Sequence, residues 1–158
     1  MPNSPTKPAF VAALAMLLLG SMTVFADEAL PPVDPAIAAM TADQKVEARQ
    51  KAMKADGMLL RQARQATGDA AVEAATTVLQ NFVNFPALFD GNANNTMSKA
   101  SSKIWDDFGT FTGIFEAGQK DALAMLAAAK AGDQAGYAAA FKSLGGTCFK
   151  CHQSYRID

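Results

Sequence analysis

Both cysteines and the sole histidine of this 158-residue chain fall within five consecutive positions, Cys148-Phe149-Lys150-Cys151-His152. A Cys-x-x-Cys-His run is the attachment signature of a c-type haem. Two thiols add across the two vinyl groups of the porphyrin and form thioether bonds, and the adjacent imidazole reaches the iron from one face. On a helix turning about 100° per residue, Cys148, Cys151 and His152 share an arc of roughly 100°. One helix face can therefore hold the porphyrin edge and the iron together.

The rival readings of the same residues explain less. A redox Cys-x-x-Cys usually sits near a βαβ pattern, and no strand pattern precedes this one. A structural zinc site takes four Cys or His ligands, whereas this chain offers three, crowded into one turn. A disulfide would leave the neighbouring histidine without a role. Covalent haem is the leading reading, with a redox dithiol or a metal site behind it.

The N-terminus reads as an export leader. Lys7 supplies a positive start, residues 10–19 form a short apolar core, and Val24-Phe25-Ala26 resembles a small-x-Ala cleavage site. The apolar run is too short to cross a bilayer comfortably. The expected organisation is a signal peptide over residues 1–26, an extended Pro-rich lead-in over 27–40, and one domain over 41–158. Export together with covalent haem places the protein in a bacterial periplasm. Loss of the leader removes one of 14 basic side chains and none of the 15 acidic ones. That balance, with no basic patch, argues against nucleic acid as a partner.

The rest of the chain has a helical period. Thr41-Ala42-Asp43-Gln44 reads as a capping box opening a first helix that reaches about residue 66, where Thr67-Gly68 stops it. Asp69 is the expected cap of a second helix through Val72, Ala75, Val78 and Phe82, with Pro86 at or just beyond its end. Residues 87–96 read as loop. Ser101 or Ser102 opens a long third helix over 103–130 that carries Trp105, Phe108, Phe111, Phe115, Leu123 and Leu126. After Gly132-Asp133, a fourth helix places Tyr137, Phe141, Leu144, Cys148, Cys151 and Tyr155 at alternating spacings of four and three, the seam of a bundle helix. Long helices with short connections predict an all-α, antiparallel up-down-up-down four-helix bundle holding one covalent haem.

A haem signature this late in a bundle of this size resembles the class II cytochromes c, the cytochrome c′ family. The ending Cys148-Phe149-Lys150-Cys151-His152-Gln153-Ser154-Tyr155-Arg156 looks like the family's. The first-helix run Arg49-Gln50-Lys51-Ala52-Met53-Lys54-Ala55-Asp56-Gly57 is similar to the segment whose Arg-Gln pair lies near the haem propionates and whose residue four after the Arg covers the distal face. Met-Lys-x-x-Gly and Ser102-Lys103-Ile104-Trp105 look most like the low-spin subgroup, in which this Met ligates iron.

The resemblance implies His152 as proximal ligand, Met53 as distal ligand, and Arg49, Gln50 and Arg156 as contacts to the propionates or haem edge. Some five-coordinate members carry an unbound Met at the same place. Helix rise offers a separate check. At 1.5 Å per residue Met53 lies about 18 Å into the first helix and His152 about 9 Å from the chain end, comparable levels of antiparallel neighbours. Met58 points to a different helix face. Phe82, Phe85, Phe89 and Trp105 read mainly as core.

The function these residues imply is a periplasmic one-electron carrier that meets redox partner proteins, not an enzyme. No nucleophile–base pair is evident, and Asp106-Asp107 diverge on a helix. The alternative is a five-coordinate cytochrome c′ that binds NO or CO at an open distal site. Dimerisation through the first two helices is an expectation that rests on the resemblance alone.

Overall fold

The computed structural model describes residues 29–157. The expected leader and its cleavage site lie outside the described residues. Five α-helices follow a short 3-10 turn: α1 (Ala42–Ala63), α2 (Gly68–Phe89), α3 (Lys103–Asp106), α4 (Phe108–Ala131) and α5 (Gln134–Tyr155). The four long helices pack antiparallel as the spacing predicts. Among the described residues no helix is long and apolar enough to cross a membrane.

The capping box at Thr41 forms as expected, with the Thr41 hydroxyl accepting from the Gln44 N–H and the Gln44 side chain accepting from the Thr41 N–H. The lead-in is not extended throughout. Asp34 caps a 3-10 turn over Pro35–Ala39 that drops Ile37 into the core. The Gln80 amide donates to the Pro32 carbonyl and the Asn84 side-chain oxygen accepts from the Asp34 N–H, which ties this segment to α2.

Several helix boundaries differ from the sequence reading. α2 starts at Gly68 behind Thr67, so Asp69 lies in its first turn and is not its cap. Pro86 does not end α2, which continues to Phe89. A proline inside a helix leaves the carbonyl four residues back without its donor. Here that carbonyl, on Phe82, accepts from the side-chain amide of Gln119 on α4 at 3.2 Å. The third helix is broken at Asp107 (φ −140°, ψ 64°) into α3 and α4. The Asp107 carboxylate accepts from the Thr110 N–H at 3.2 Å, so it caps the longer piece.

The core lies between α2, α4 and α5. Phe82, Phe85, Phe89, Phe111, Phe115 and Tyr155 stack there with ring centroids 4.8 to 6.3 Å apart, mostly edge to face. Gly118 allows α4 to approach α2, because a methyl group in its place would enter the Phe82 ring. Backbone packing is close in the pairs α1–α2, α2–α4 and α4–α5, and α1 with α5 has nothing comparable. At the lower end the two are joined by the Tyr137 hydroxyl, which donates to the Ala63 carbonyl at 3.0 Å. Above that bond they stand apart.

Candidate functional site

The space between α1 and α5 is a cleft made of two cavities of about 390 and 130 Å³. Met53, Cys151 and His152 line both, so the two are chambers of one site. Arg49, Gln50 and Arg156 line the larger chamber, and Cys148 lines the smaller. The structure thus brings Cys148, Cys151, His152, Met53, Arg49, Gln50 and Arg156 to the lining of one cleft. Met53 enters from α1 and the Cys-x-x-Cys-His run from α5. Met58 lies on the exposed face of α1, away from the cleft, while Met53 is half-buried.

The α5 side follows from its seam. Cys151 is buried and Cys148 half-buried, and both thiols are free. Burial, and secondarily Cys148, pushes the Cys151 thiol up to about 11. The Cys148 thiol is raised as well, first by burial and then by the Asp56 carboxylate. A redox or nucleophilic cysteine is normally depressed, so this pair is not poised as a dithiol catalyst. Burial, followed by the charge on Arg156, lowers His152 from its ordinary value. A neutral imidazole is the form that offers a nitrogen lone pair to a metal.

The α1 side is more polar than the sequence suggested. Val46, Arg49, Met53, Asp56, Leu60 and Ala63 succeed one another at spacings of three and four, the inward register of the helix. Arg49 is 2% exposed, and burial lowers its guanidinium to about 10. Nη1 donates to the carbonyls of Leu88 and Ala93 at 2.9 and 2.8 Å, Nη2 donates to the Ser98 hydroxyl at 3.0 Å, and the guanidinium carbon sits 4.2 Å over the Phe89 ring. Its main structural work is therefore to tie α1 to the end of α2 and the loop beyond it, with two of its five N–H donors unused by these bonds. Gln50 does a similar job, donating to the Met97 carbonyl at 2.8 Å.

Asp56 is the residue that sequence reasoning passed over. It is 6% exposed and lines the smaller chamber. One carboxylate oxygen accepts from Asn81 on α2 at 2.6 Å, and the other has no partner. Burial raises this carboxyl to about 6 against the opposing effect of the Asn81 bond. Its inward position in the α1 register was the available signal. Phe82, Phe85 and Phe89, read mainly as core, are core and also wall the chambers. Trp105 lies beside them and donates its indole N–H to the Phe89 carbonyl at 2.8 Å.

The donor set fits a covalently attached, metal-bearing prosthetic group. Two thiols and an imidazole share one helix, a thioether faces them from another, and the walls between are aromatic.

Comparisons with known proteins agree. A family model described as Cytochrome C′ matches residues 38–156. The chain is 32% identical over 149 residues to a cytochrome c′ of Rhodospirillum rubrum, covering 94% of this chain and 96% of that protein. It is 43% identical over 89 residues to a cytochrome c-556 of Agrobacterium fabrum, covering 56% of this chain and 60% of that one. Among solved structures, the cytochrome c′ of Thermochromatium tepidum superposes with a TM-score of 0.68 at 21% identity, covering 75% of this chain and 98% of that chain. The nitric oxide complex of a cytochrome c′ variant from Alcaligenes xylosoxidans superposes with a TM-score of 0.63 at 26% identity, covering 75% and 98%.

Proposed function

The chain belongs to the cytochrome c′ family, and we propose that within it the protein is a periplasmic one-electron carrier whose haem is joined to Cys148 and Cys151 and ligated by His152 and Met53. The family's c-type haem and its iron are the cofactor. When bound, the haem supplies a one-electron iron couple, and Met/His ligation raises its potential relative to harder ligand pairs.

The observation that carries this reading is the placement of Met53 and His152 on the two walls of one cleft, lining both of its chambers. The Met53 thioether on α1 and the His152 imidazole on α5 are the residues that would hold the haem iron between them. With both residues on the iron, the site would exclude small ligands and would keep its geometry alike in both oxidation states. The chain's own residues do the rest. Phe82, Phe85, Phe89 and Phe115 exclude water from the interior side. Arg49, with its uncommitted donors, and the exposed Arg156 offer charge-assisted hydrogen bonds to carboxylates at the cleft edge, and Gln50 lies beside them. Catalysis of a substrate reaction is not needed for this role.

A second reading has one observation in its favour. The smaller chamber is walled by Leu60, Phe82, Phe85, Ile114 and Phe115 beside Met53. With Met53 off the iron, that apolar space would suit NO or CO at a five-coordinate centre. The ferric and ferrous optical spectra separate the two. Low-spin iron in both states supports the carrier, and high-spin iron supports gas binding.

A further inference from the structure

The gap between α1 and α5 is bridged above the cleft by five residues of the loop after α2. On the α1 side, Gln50 donates to the Met97 carbonyl at 2.8 Å and Arg49 donates to the Ser98 hydroxyl at 3.0 Å. On the α5 side, the Ser101 N–H donates to the Tyr155 carbonyl at 2.8 Å and the Ile157 N–H donates to the Lys99 carbonyl at 2.9 Å. Ala100 and Arg156 form an antiparallel bridge between these bonds. The Ser98 hydroxyl also accepts from the Ala100 N–H at 3.1 Å, which stiffens the link from within. Ser98, Lys99 and Ala100 line the larger chamber.

We propose that residues 97–101 are a strap that sets the separation of α1 from α5, and that Ser98 and Gln50 are positioning residues for the Met53 side of the haem site. The strap is short. From Ser98 to Ser101 the chain spans at most about 10 Å even when fully extended. It therefore limits how far the Arg49 end of α1 can move from the Tyr155 end of α5. Met53 lies one helical turn beyond Arg49, and His152 lies three residues before Tyr155. The Tyr137–Ala63 bond fixes the other end of the pair. Since α1 and α5 lack close packing between these points, the strap and the haem add to the packing of α1 on α2 in setting their spacing.

The positioning role rests on the reading of Met53 as an iron ligand. Loosening the strap on its α1 side frees α1 to step back, and the balance between Met53-bound and open iron moves toward open. Loss of the two anchors, one of them to the Arg49 guanidinium, moves that balance roughly tenfold or more.

The test compares the holoprotein with Ser98→Ala, Gln50→Ala and the double variant, and with Ser98→Thr, which keeps the hydroxyl. Two quantities are measured. One is hydrogen exchange at the Ser101 and Ile157 amides, whose own acceptors none of these substitutions alters. The other is iron coordination, read from the ferric spectrum and the carbon monoxide association rate. The strap predicts faster exchange at both amides, at least tenfold faster carbon monoxide association in the double variant, and recovery of both in Ser98→Thr relative to Ser98→Ala. Unchanged exchange overturns the strap. Faster exchange with unaltered coordination in a low-spin wild type overturns the positioning role. A wild type that is already high-spin overturns the reading of Met53, while the strap still stands or falls on the exchange measurement.

Discussion

The side-chain amide of Gln119 donates to the carbonyl of Phe82 at 3.2 Å, at the one turn of α2 where Pro86 has no N–H to offer. A side chain on α4 thus replaces a missing backbone donor on α2. The replacement lets α2 run through its proline and carry Phe89 to the cleft. Gln119→Leu should destabilise the fold by about 1–2 kcal/mol, since it leaves a carbonyl without its partner. Pro86→Ala restores an N–H at that turn and should make Gln119→Leu much less costly. Urea unfolding of the two single variants and the double variant measures the coupling, and equal losses in both backgrounds would refute the substitution of one donor for the other.

Gly118 and Gly109 should respond oppositely to alanine. A methyl group at Gly118 would meet the Phe82 ring, which is buried and cannot yield freely, whereas Gly109 has open space around it. Gly118→Ala should cost about 1–3 kcal/mol. Gly109→Ala should gain up to about 1 kcal/mol from helix propensity. Thermal midpoints check both, and a stable Gly118→Ala would contradict the close approach of α2 and α4.

The bundle was legible because its signals are local. The capping box at Thr41 and the seam through Tyr137, Leu144 and Cys151 depend on neighbours within a few positions. The break at Asp107 was hidden because Trp105, Phe108, Phe111 and Phe115 keep helical spacing across it. The haem motif was legible in full, since its chemistry is contained in five residues. The polar half of the cleft was not. Arg49 and Asp56 occupy the inward register of α1, but their partners Leu88, Ala93 and Asn81 are 39, 44 and 25 positions away. Without those partners a sequence gives no reason to bury a charge.

Arg49 should matter first for structure. Its guanidinium makes one hydrogen bond to Leu88 at the end of α2 and two to the loop beyond it, at Ala93 and Ser98, and stacks on Phe89. Arg49→Lys keeps the charge but cannot reproduce the fork, and should lower stability by roughly 2 kcal/mol or more. Chemical denaturation with haem retained is the measurement. A loss below about 0.5 kcal/mol, the scale of an ordinary surface substitution, would show that the loop does not depend on this residue.

Asp56 should give the fold an acid-side advantage. Its carboxyl is raised from 3.8 to about 6, chiefly by burial. The folded chain therefore binds this proton more tightly than the unfolded chain does. The resulting stability is fully present below about pH 4 and is lost as pH rises through about 6. Its size is on the order of 2–3 kcal/mol, because each tenfold difference in proton affinity between the two states is worth about 1.4 kcal/mol. Asp56→Asn should flatten that part of the profile and gain stability at pH 7 relative to the parent. Urea midpoints at pH 4.5 and 7 compare the two chains, and identical pH dependence would contradict a buried, proton-holding Asp56.

Axial ligation by Met53 is decided by carbon monoxide binding to the ferrous protein, compared among wild type, Met53→Ala and Met58→Ala. Met53 lines the cleft opposite His152, and Met58 is 45% exposed on another face of α1. A His152–Met53 pair on the iron predicts slow or weak binding in wild type and Met58→Ala, and prompt binding with high-spin iron in Met53→Ala. Prompt binding by the wild type, unchanged by Met53→Ala, would contradict that ligation and favour the gas-binding reading.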